Sequence, residues 1–397
     1  MATTHFDYLI VGGGMVADTA ARGIRELDAD GSIGILSDDI EEPYTRPALS
    51  KKLWTDDEFT WDKVPLNTVD DTGADLRLRT RATAIRPEAH EVDAADETFA
   101  YGKLLVATGG HPLPLPIDDG TNGERALSFR TAADYRRLRA LAHDVDRIAV
   151  VGGGYIGSEL AAALVQNGVD TVLIHTGAVL GDAVFPPALA ERFEKLFREA
   201  GVEIVAGSKV EGGEADAAGI RLALENGDEI RADAVVSGLG IEIATDLAEA
   251  AGLTVEDGIV VDAQLRASVD DVWAAGDIAS YPDRILGRRR VEHVDNANAM
   301  GRAAGRNLAG AAEPYTHTPY YYSAVFGIRY EAVGTLDSSL ETVEDWIDTD
   351  RGVIYYLDDD RVVGVLLWNV EDARDAARAV LAEADTLTRD DLVGRIR

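Results

Sequence analysis

Three features of this sequence predict an α/β fold built from two Rossmann-like dinucleotide-binding domains followed by a C-terminal α+β domain. A glycine-rich turn follows a short apolar run near the start of the chain. The same arrangement recurs 140 residues later, and from about residue 316 the pattern changes to alternating, strand-like segments. A chain of 397 residues is long for one core and suits two or three domains.

The first apolar run, residues 6–11, reads as a strand buried on both faces. It leads straight into Gly12-Gly13-Gly14-Met15-Val16-Ala17, and an Ala/Arg-rich helical stretch follows to about residue 27. Glycines at 12 and 14 let the chain turn tightly and let backbone approach a pyrophosphate. Small Ala17 lets helix pack on strand, and the helix N-terminus offers N–H groups to the anion. A second strand at 32–36 ends at Ser37-Asp38-Asp39, and an acid about 20 residues after the glycines is placed to accept ribose hydroxyls.

The pattern returns with a strand at 147–151, then Gly152-Gly153-Gly154-Tyr155-Ile156-Gly157, an Ala-rich helix to about residue 166 and a strand at 171–174. Here the third position is glycine, completing G-x-G-x-x-G. One such turn is weak evidence. Two copies, each set between strand, helix and strand, point to two dinucleotide sites.

A third signal favours a flavin for the first site. Residues 272–277, Val-Trp-Ala-Ala-Gly-Asp, form an apolar strand ending in Gly276-Asp277, where the acid can hydrogen-bond a ribityl chain or simply cap a helix. Ala107-Thr108-Gly109-Gly110, after a strand at 104–106, is a small-residue crossing where chain passes close to a cofactor. Residues 1–115 and 245–315 then read as one discontinuous FAD-binding domain, interrupted by an NAD(P)H-binding domain at 116–244. The C-terminal domain occupies 316–397, with a strand at 329–336, a hairpin of 352–357 and 362–368 around Asp358-Asp359-Asp360, and helices around 372–383 and 390–397. The run Tyr320-Tyr321-Tyr322 fits a substrate or flavin-edge wall and a core segment equally well.

Composition narrows the chemistry. Against 38 basic residues stand 71 acidic ones, a formal net charge of -33, which repels nucleic-acid phosphates and anionic membranes. Only six residues are lysine, and an acidic coat poor in lysine resembles halophilic, salt-loaded cytoplasm. The chain has no cysteine, so disulfide reduction and cysteine-dependent peroxidase chemistry are excluded. The seven histidines form no ligand-spaced cluster, and no metal is expected. The absence of a signal-like start and of a roughly 20-residue apolar span predicts a soluble, cytoplasmic protein.

At this point the residues resemble a known family, the pyridine nucleotide–disulfide oxidoreductases of glutathione reductase-like architecture, in their ferredoxin reductase-like, apoptosis-inducing-factor-like branch. Glu42-Pro43-Tyr44-Thr45-Arg46-Pro47-Ala48-Leu49-Ser50-Lys51 carries the likeness, as do residues 287–293, 330–334, 336–340 and 363–369, and it runs from about residue 6 to 390. The resemblance implies an FAD-dependent NAD(P)H oxidoreductase that passes hydride from NADH, or NADPH, to FAD and on to an electron acceptor. It implies that Gly12, Gly13, Gly14, Met15 and Val16 hold the FAD pyrophosphate, with Asp38 on the adenosine ribose. Arg46, Lys51, Arg130, Asp277 and Tyr322 would contact FAD, and His293 the FAD or the nicotinamide. Gly153, Gly154, Tyr155, Ile156, Thr176, Gly240, Glu292, Glu331 and Asn369 would contact the nicotinamide nucleotide, with Tyr155 over the isoalloxazine face.

The resemblance also implies the catalytic candidates: Lys51 matches a lysine beside the flavin, and Glu159 the glutamate paired with it. A fixed lysine stabilises the negative charge that hydride transfer puts on the flavin, and a glutamate holding it limits its motion. The plain alternatives are a loop-capping surface lysine for Lys51, an exposed helix carboxylate for Glu159 and a satisfied helix-start histidine for His293.

The sequence departs from the family in places. After the second turn the strand ends in Ile174-His175-Thr176-Gly177, without the acid that NADH-selective sites place there; Asp170 comes too early, and a protonated His175 could assist a 2′-phosphate. Tyr322 stands where the family often has tryptophan, and Ala324 where it has an acid. The acceptor is unspecified: a quinone, a dye, oxygen or a small redox protein. A dedicated ferredoxin or rubredoxin reductase and a slow NADH-responsive redox switch are the alternatives, and a homodimer through the C-terminal domain is expected.

Overall fold

The computed structural model describes residues 3–118, 124–216 and 219–397. The chain divides into two compact units, one formed by Met1–Arg46, Trp61–His111 and Ile243–Tyr320, the other by Pro47–Thr60, Pro112–Glu242 and Tyr321–Arg397.

In the first unit the strands are β1 (Thr4–Val11), β2 (Ile33–Leu36), β3 (Asp75–Arg77), β4 (Ala82–Arg86), β5 (Glu91–Ala94) and β6 (Glu97–Val106), with helix α1 (Met15–Arg25) between β1 and β2. They line up in the order β3-β2-β1-β6-β5-β4, and the strand Val272–Ala274 pairs with β6. β1 is parallel to both β2 and β6, which buries its residues 8–11 on two faces as their unbroken apolar run requires.

α1 stops at Arg25, two residues earlier than expected. Arg25 turns back onto the carbonyls of Thr72, Asp28 and Gly31 and closes the helix end. The helix crosses Val294–Leu308 at close range. A Cβ added at Gly23 would lie 2.3 Å from the Arg302 carbonyl oxygen, and one at Gly305 would lie 2.0 Å from that of Ala20. Only glycine admits two backbones at that separation, which is why these helices carry it despite its cost to helix stability.

The second unit contains β7 (Arg147–Val151), α2 (Tyr155–Gln166), β8 (Asp170–Ile174), α3 (Pro187–Glu199), β9 (Glu203–Val205) and β10 (Ala234–Ser237). Their parallel sheet runs β9-β8-β7-β10, with Ala126–Ser128 at the far edge. The same unit holds an antiparallel sheet of β11 (Tyr320–Val325), β12 (Ile328–Gly334), β13 (Glu341–Trp346), β14 (Gly352–Asp358) and β15 (Arg361–Trp368), in the order β11-β12-β15-β14-β13.

The β14–β15 hairpin turns at Asp359 and Asp360, both at positive φ (45° and 66°), as a tight two-residue turn demands. β12 does not alternate as its sequence suggests, because helix α4 (Arg374–Ala382) covers its second face and residues 330–334 are all buried. The helix expected over 390–397 is absent. Only a 3₁₀ turn, Arg389–Asp391, forms, and Gly394 at φ 83° ends it while Asp345 accepts hydrogen bonds from the Gly394 N–H and from Arg397.

Candidate active site

The first glycine turn is shaped by the protein at two positions and left open at the third. Gly12 sits at φ 122°, and a Cβ there would lie 2.1 Å from the Ala107 carbonyl oxygen; one on Gly13 would lie 2.1 Å from Ser37 Oγ. A Cβ on Gly14 would meet only Arg46 Nη2, at 4.0 Å. Gly14 is the N-cap of α1 and supplies no side-chain cap, so the helix presents its first N–H groups to whatever occupies that room. A diphosphate fits this cradle. Gly276, at φ 82°, brings the turn bearing Asp277 against Val16 Cγ2, 2.6 Å from where its Cβ would be.

The other residues of this unit are arranged as follows. Asp38 lies exposed at the end of β2, 3.4 Å from Arg81. Arg46 lies over the Tyr44 ring. Arg290 donates to the Asp277 carbonyl and pairs with Glu292 at 2.6 Å. His293 is the N-cap of Val294–Leu308, its Nδ1 accepting the Asp295 N–H at 3.3 Å.

The second turn repeats the logic. Gly152 (φ 116°) passes under the Gly238 carbonyl, 2.5 Å from a would-be Cβ, and one on Gly157 would stand 1.8 Å from the Gly152 oxygen. At Gly154 and at Gly240 (φ 92°) a Cβ would meet nothing within 4 Å. Gly154 caps α2 without a side chain, and Ile156 and Thr176 are exposed beside this open room. His175 is not the cation that a 2′-phosphate would want. It is buried, its Nε2 has no partner, and burial holds its pKa below the usual histidine value, so the ring is neutral.

The candidate catalytic pair is assembled from segments far apart in sequence. Lys51 Nζ stands 2.7 Å from Glu159 Oε1. Glu159, on the second turn of α2, is not an exposed helix carboxylate: its side chain is 1% exposed. Ser50 donates to Oε2 and Ser323 of β11 to Oε1, each at 2.6 Å. Burying a carboxylate is costly unless it is hydrogen-bonded and paired, and here a lysine and two hydroxyls supply those partners.

Lys51 also lies over the Tyr322 ring at 5.1 Å, and Arg329 over the same ring at 5.2 Å. Tyr155, first residue of α2, stacks on Tyr330 (6.0 Å, 29°), which stacks in turn on Trp368 (5.8 Å, 8°). Burial, helped by the Glu159 charge, pushes the Tyr155 and Tyr330 hydroxyls above their ordinary pKa, so both stay protonated.

Three further predicted residues are held by hydrogen bonds within the same unit. Glu331 is 2% exposed and receives four hydrogen bonds, from Arg329 and Arg374. Burial alone would raise its pKa, and the two guanidiniums outweigh it and hold the carboxyl below the usual range. Asn369, at φ 52°, accepts the Arg329 N–H and donates to the Asp350 carbonyl. Arg130 precedes the capping box Thr131–Asp134 and donates its backbone N–H to Asp134. Sequence reasoning missed Ser323, Arg329 and Arg374, which no local pattern marks, and passed over Ser50 although it stands beside Lys51.

The family model for pyridine nucleotide-disulphide oxidoreductases matches residues 6–301, and that for the C-terminal region of apoptosis-inducing factor, mitochondrion-associated, matches 304–349 and 344–383. The chain belongs to the pyridine nucleotide-disulphide oxidoreductases. It is 35% identical over 399 residues to the 5,5′-dehydrodivanillate O-demethylase ferredoxin reductase subunit of Sphingobium sp., covering 98% of this chain and 96% of that one. It is 32% identical to apoptosis-inducing factor 1, mitochondrial, of Dictyostelium discoideum, covering 96% of this chain and 79% of that one.

Among solved structures, the covalent putidaredoxin reductase–putidaredoxin complex superposes with a TM-score of 0.87 at 28% identity, over 97% of this chain and 94% of that one. As a family member this protein is an FAD-dependent NAD(P)H oxidoreductase that transfers electrons to an acceptor. No described helix is long and apolar enough to cross a membrane.

Proposed function

We propose that this reductase takes electrons from a nicotinamide nucleotide held at the second glycine turn and delivers them singly to a small ferredoxin-type protein. In this reading Lys51, positioned by Glu159, is the cation that stabilises the reduced flavin. The Lys51–Glu159 pair carries the proposal, because Ser50 and Ser323 fix the buried carboxylate and it in turn holds Lys51 over Tyr322, both residues expected at the flavin.

When bound, FAD takes up a hydride equivalent and can release electrons one at a time. Gly12 to Val16 and the N-terminus of α1 hold its diphosphate, and Asp38, Arg46, Arg130, Asp277, His293 and Tyr322 bind and orient the rest. Gly153 to Ile156, with Thr176, Gly240, Glu292, Glu331 and Asn369, hold the nucleotide. Lys51 is held 2.7 Å from the Glu159 carboxylate, which fixes where its charge lies. Tyr155, backed by Tyr330, gives a flat apolar wall that excludes water from the transfer step.

The acceptor class is supported by relatives of nearly equal length, such as the ferredoxin–NAD(+) reductase component of the anthranilate 1,2-dioxygenase system of Burkholderia cepacia, 34% identical over 94% of both chains. The absence of cysteine removes thiol relays as an alternative.

Anaerobic titration with NADH and NADPH, followed by cytochrome c reduction with and without an added ferredoxin, tests the reading. Rapid flavin bleaching and ferredoxin-dependent turnover above about one per second are expected. Bound flavin that neither nucleotide bleaches would sink the assignment of the second turn. Bleaching without ferredoxin-dependent turnover would sink the acceptor.

A further inference from the structure

The second dinucleotide fold lacks an acid where its strand ends, yet a carboxylate is delivered there by another route. After β8 the chain runs through His175, Thr176 and Gly177 into a loop that closes at Asp182. Asp182 Oδ2 accepts the N–H groups of Ala178 (2.7 Å) and Val179 (3.2 Å). This folds the side chain back along the loop towards the strand end. A Cβ on Gly177 would lie 2.4 Å from Asp182 Oδ1 and 2.8 Å from Oδ2. Gly177 is not at positive φ, so its role is to leave space for that carboxylate.

The loop also lies against the glycine turn. A Cβ on Gly153 would meet His175 Cβ at 2.9 Å and Leu180 Cδ1 at 3.2 Å, and Leu180 is fully buried. The Leu180 N–H is anchored on Glu194 of α3 at 2.8 Å.

We propose that Asp182 replaces the missing strand-end acid and reads the adenosine ribose, making the site selective for NADH. The inference rests on the second turn being the nicotinamide-nucleotide site. In this fold the ribose of a nucleotide on the glycine turn lies at the end of the following strand, where a carboxylate accepts its 2′- and 3′-hydroxyls and repels a 2′-phosphate. Among the described residues Asp182 Oδ1 accepts no hydrogen bond, so one oxygen holds the loop and the other is free for a hydroxyl. The loop from 176 to 182 carries no lysine or arginine, and Arg198, whose charge is felt at His175, is paired with Glu194 at 2.8 Å. His175, buried and unpartnered at Nε2, supplies no charge to a phosphate.

The test uses the FAD-loaded protein and two non-reducing probes, ADP-ribose and its 2′-phosphate, bound calorimetrically, together with flavin reduction by NADH and NADPH. Asp182→Asn keeps an oxygen for Ala178 and Val179 but removes the charge. Gly177→Ala keeps the charge and displaces the carboxylate. Wild type should favour ADP-ribose and NADH, and each variant should lower that preference about tenfold or more, Asp182→Asn chiefly by admitting the 2′-phosphate. A preference unchanged within twofold in both variants would overturn the role of Asp182 while leaving the second turn as the nucleotide site. Failure of both probes to bind wild type would instead overturn the site assignment, and this inference with it.

Discussion

In the first dinucleotide fold the buried carboxylate of the helix after the glycine turn is Asp18. It accepts from Arg22 at 3.0 Å and from Thr68 at 2.8 Å, tying α1 to the segment that packs beside it. In the second fold the corresponding helix buries Glu159, and its partners are Lys51, Ser50 and Ser323. Both acids lie in the first two turns of a helix that opens on three glycines, both are almost wholly buried, and both are satisfied by a cation and hydroxyls. One braces structure within its own unit's core. The other holds Lys51, which lies over the Tyr322 ring. A buried ion pair is therefore not a functional signal by itself, and what separates the two is whether the cation's removal would cost stability or chemistry.

That distinction can be broken experimentally. Lys51→Met should slow flavin reduction by about 10²–10³-fold in rapid mixing, the scale of losing one preorganised charge at a reacting centre. A slowing of less than threefold would put Lys51 with Asp18 among the structural groups. Ser323→Ala removes one donor from Glu159 and should slow the same step about tenfold, with Ser323→Thr restoring most of it. An unchanged rate with a lowered melting temperature would make Ser323 a packing residue only.

Asp18→Asn should do the reverse of Lys51→Met, lowering unfolding free energy by about 1–3 kcal/mol with no change in the reduction rate, as denaturant melts and rapid mixing together would record.

The smallest effect expected is a pH dependence that sharpens the contrast. Glu331 has its folded pKa depressed below the ordinary 4.5 by Arg374 and Arg329. Its contribution is therefore full above pH 4.5 and is lost as pH falls through the lower folded value. The melting-temperature gap between wild type and Glu331→Gln should close as acid is added below that point. A gap that widens there would mean the carboxyl is not held ionised by the two arginines.

The two glycine turns were legible in the sequence because they are local. Three glycines between an apolar run and an Ala-rich helix leave few conformations, and the values at Gly12 and Gly152 (φ 122° and 116°) are ones that side-chain-bearing residues rarely adopt. The strand–turn–helix order and the segment around Lys51 likewise showed the family before any geometry. The same local reading failed where distant packing overrode it. β12 lost its alternation because α4 covers its outer face, and the tail after residue 389 lost its helix to Gly394 and the hold of Asp345.

The sequence by itself determined the order of elements and the two dinucleotide folds, and its family resemblance named the candidate pair of Lys51 and Glu159. It did so through glycine spacing, apolar runs and motif residues that lie within a few positions of one another. Only the tertiary structure decided what satisfies those residues. Ser323 reaches Glu159 across 164 positions, Arg374 reaches Glu331 across 43, and Asp182 comes to the end of β8 because Gly177 leaves it room. A hydrogen bond or a missing Cβ acts over a few ångströms of space, and separation along the chain places no limit on which residues meet there.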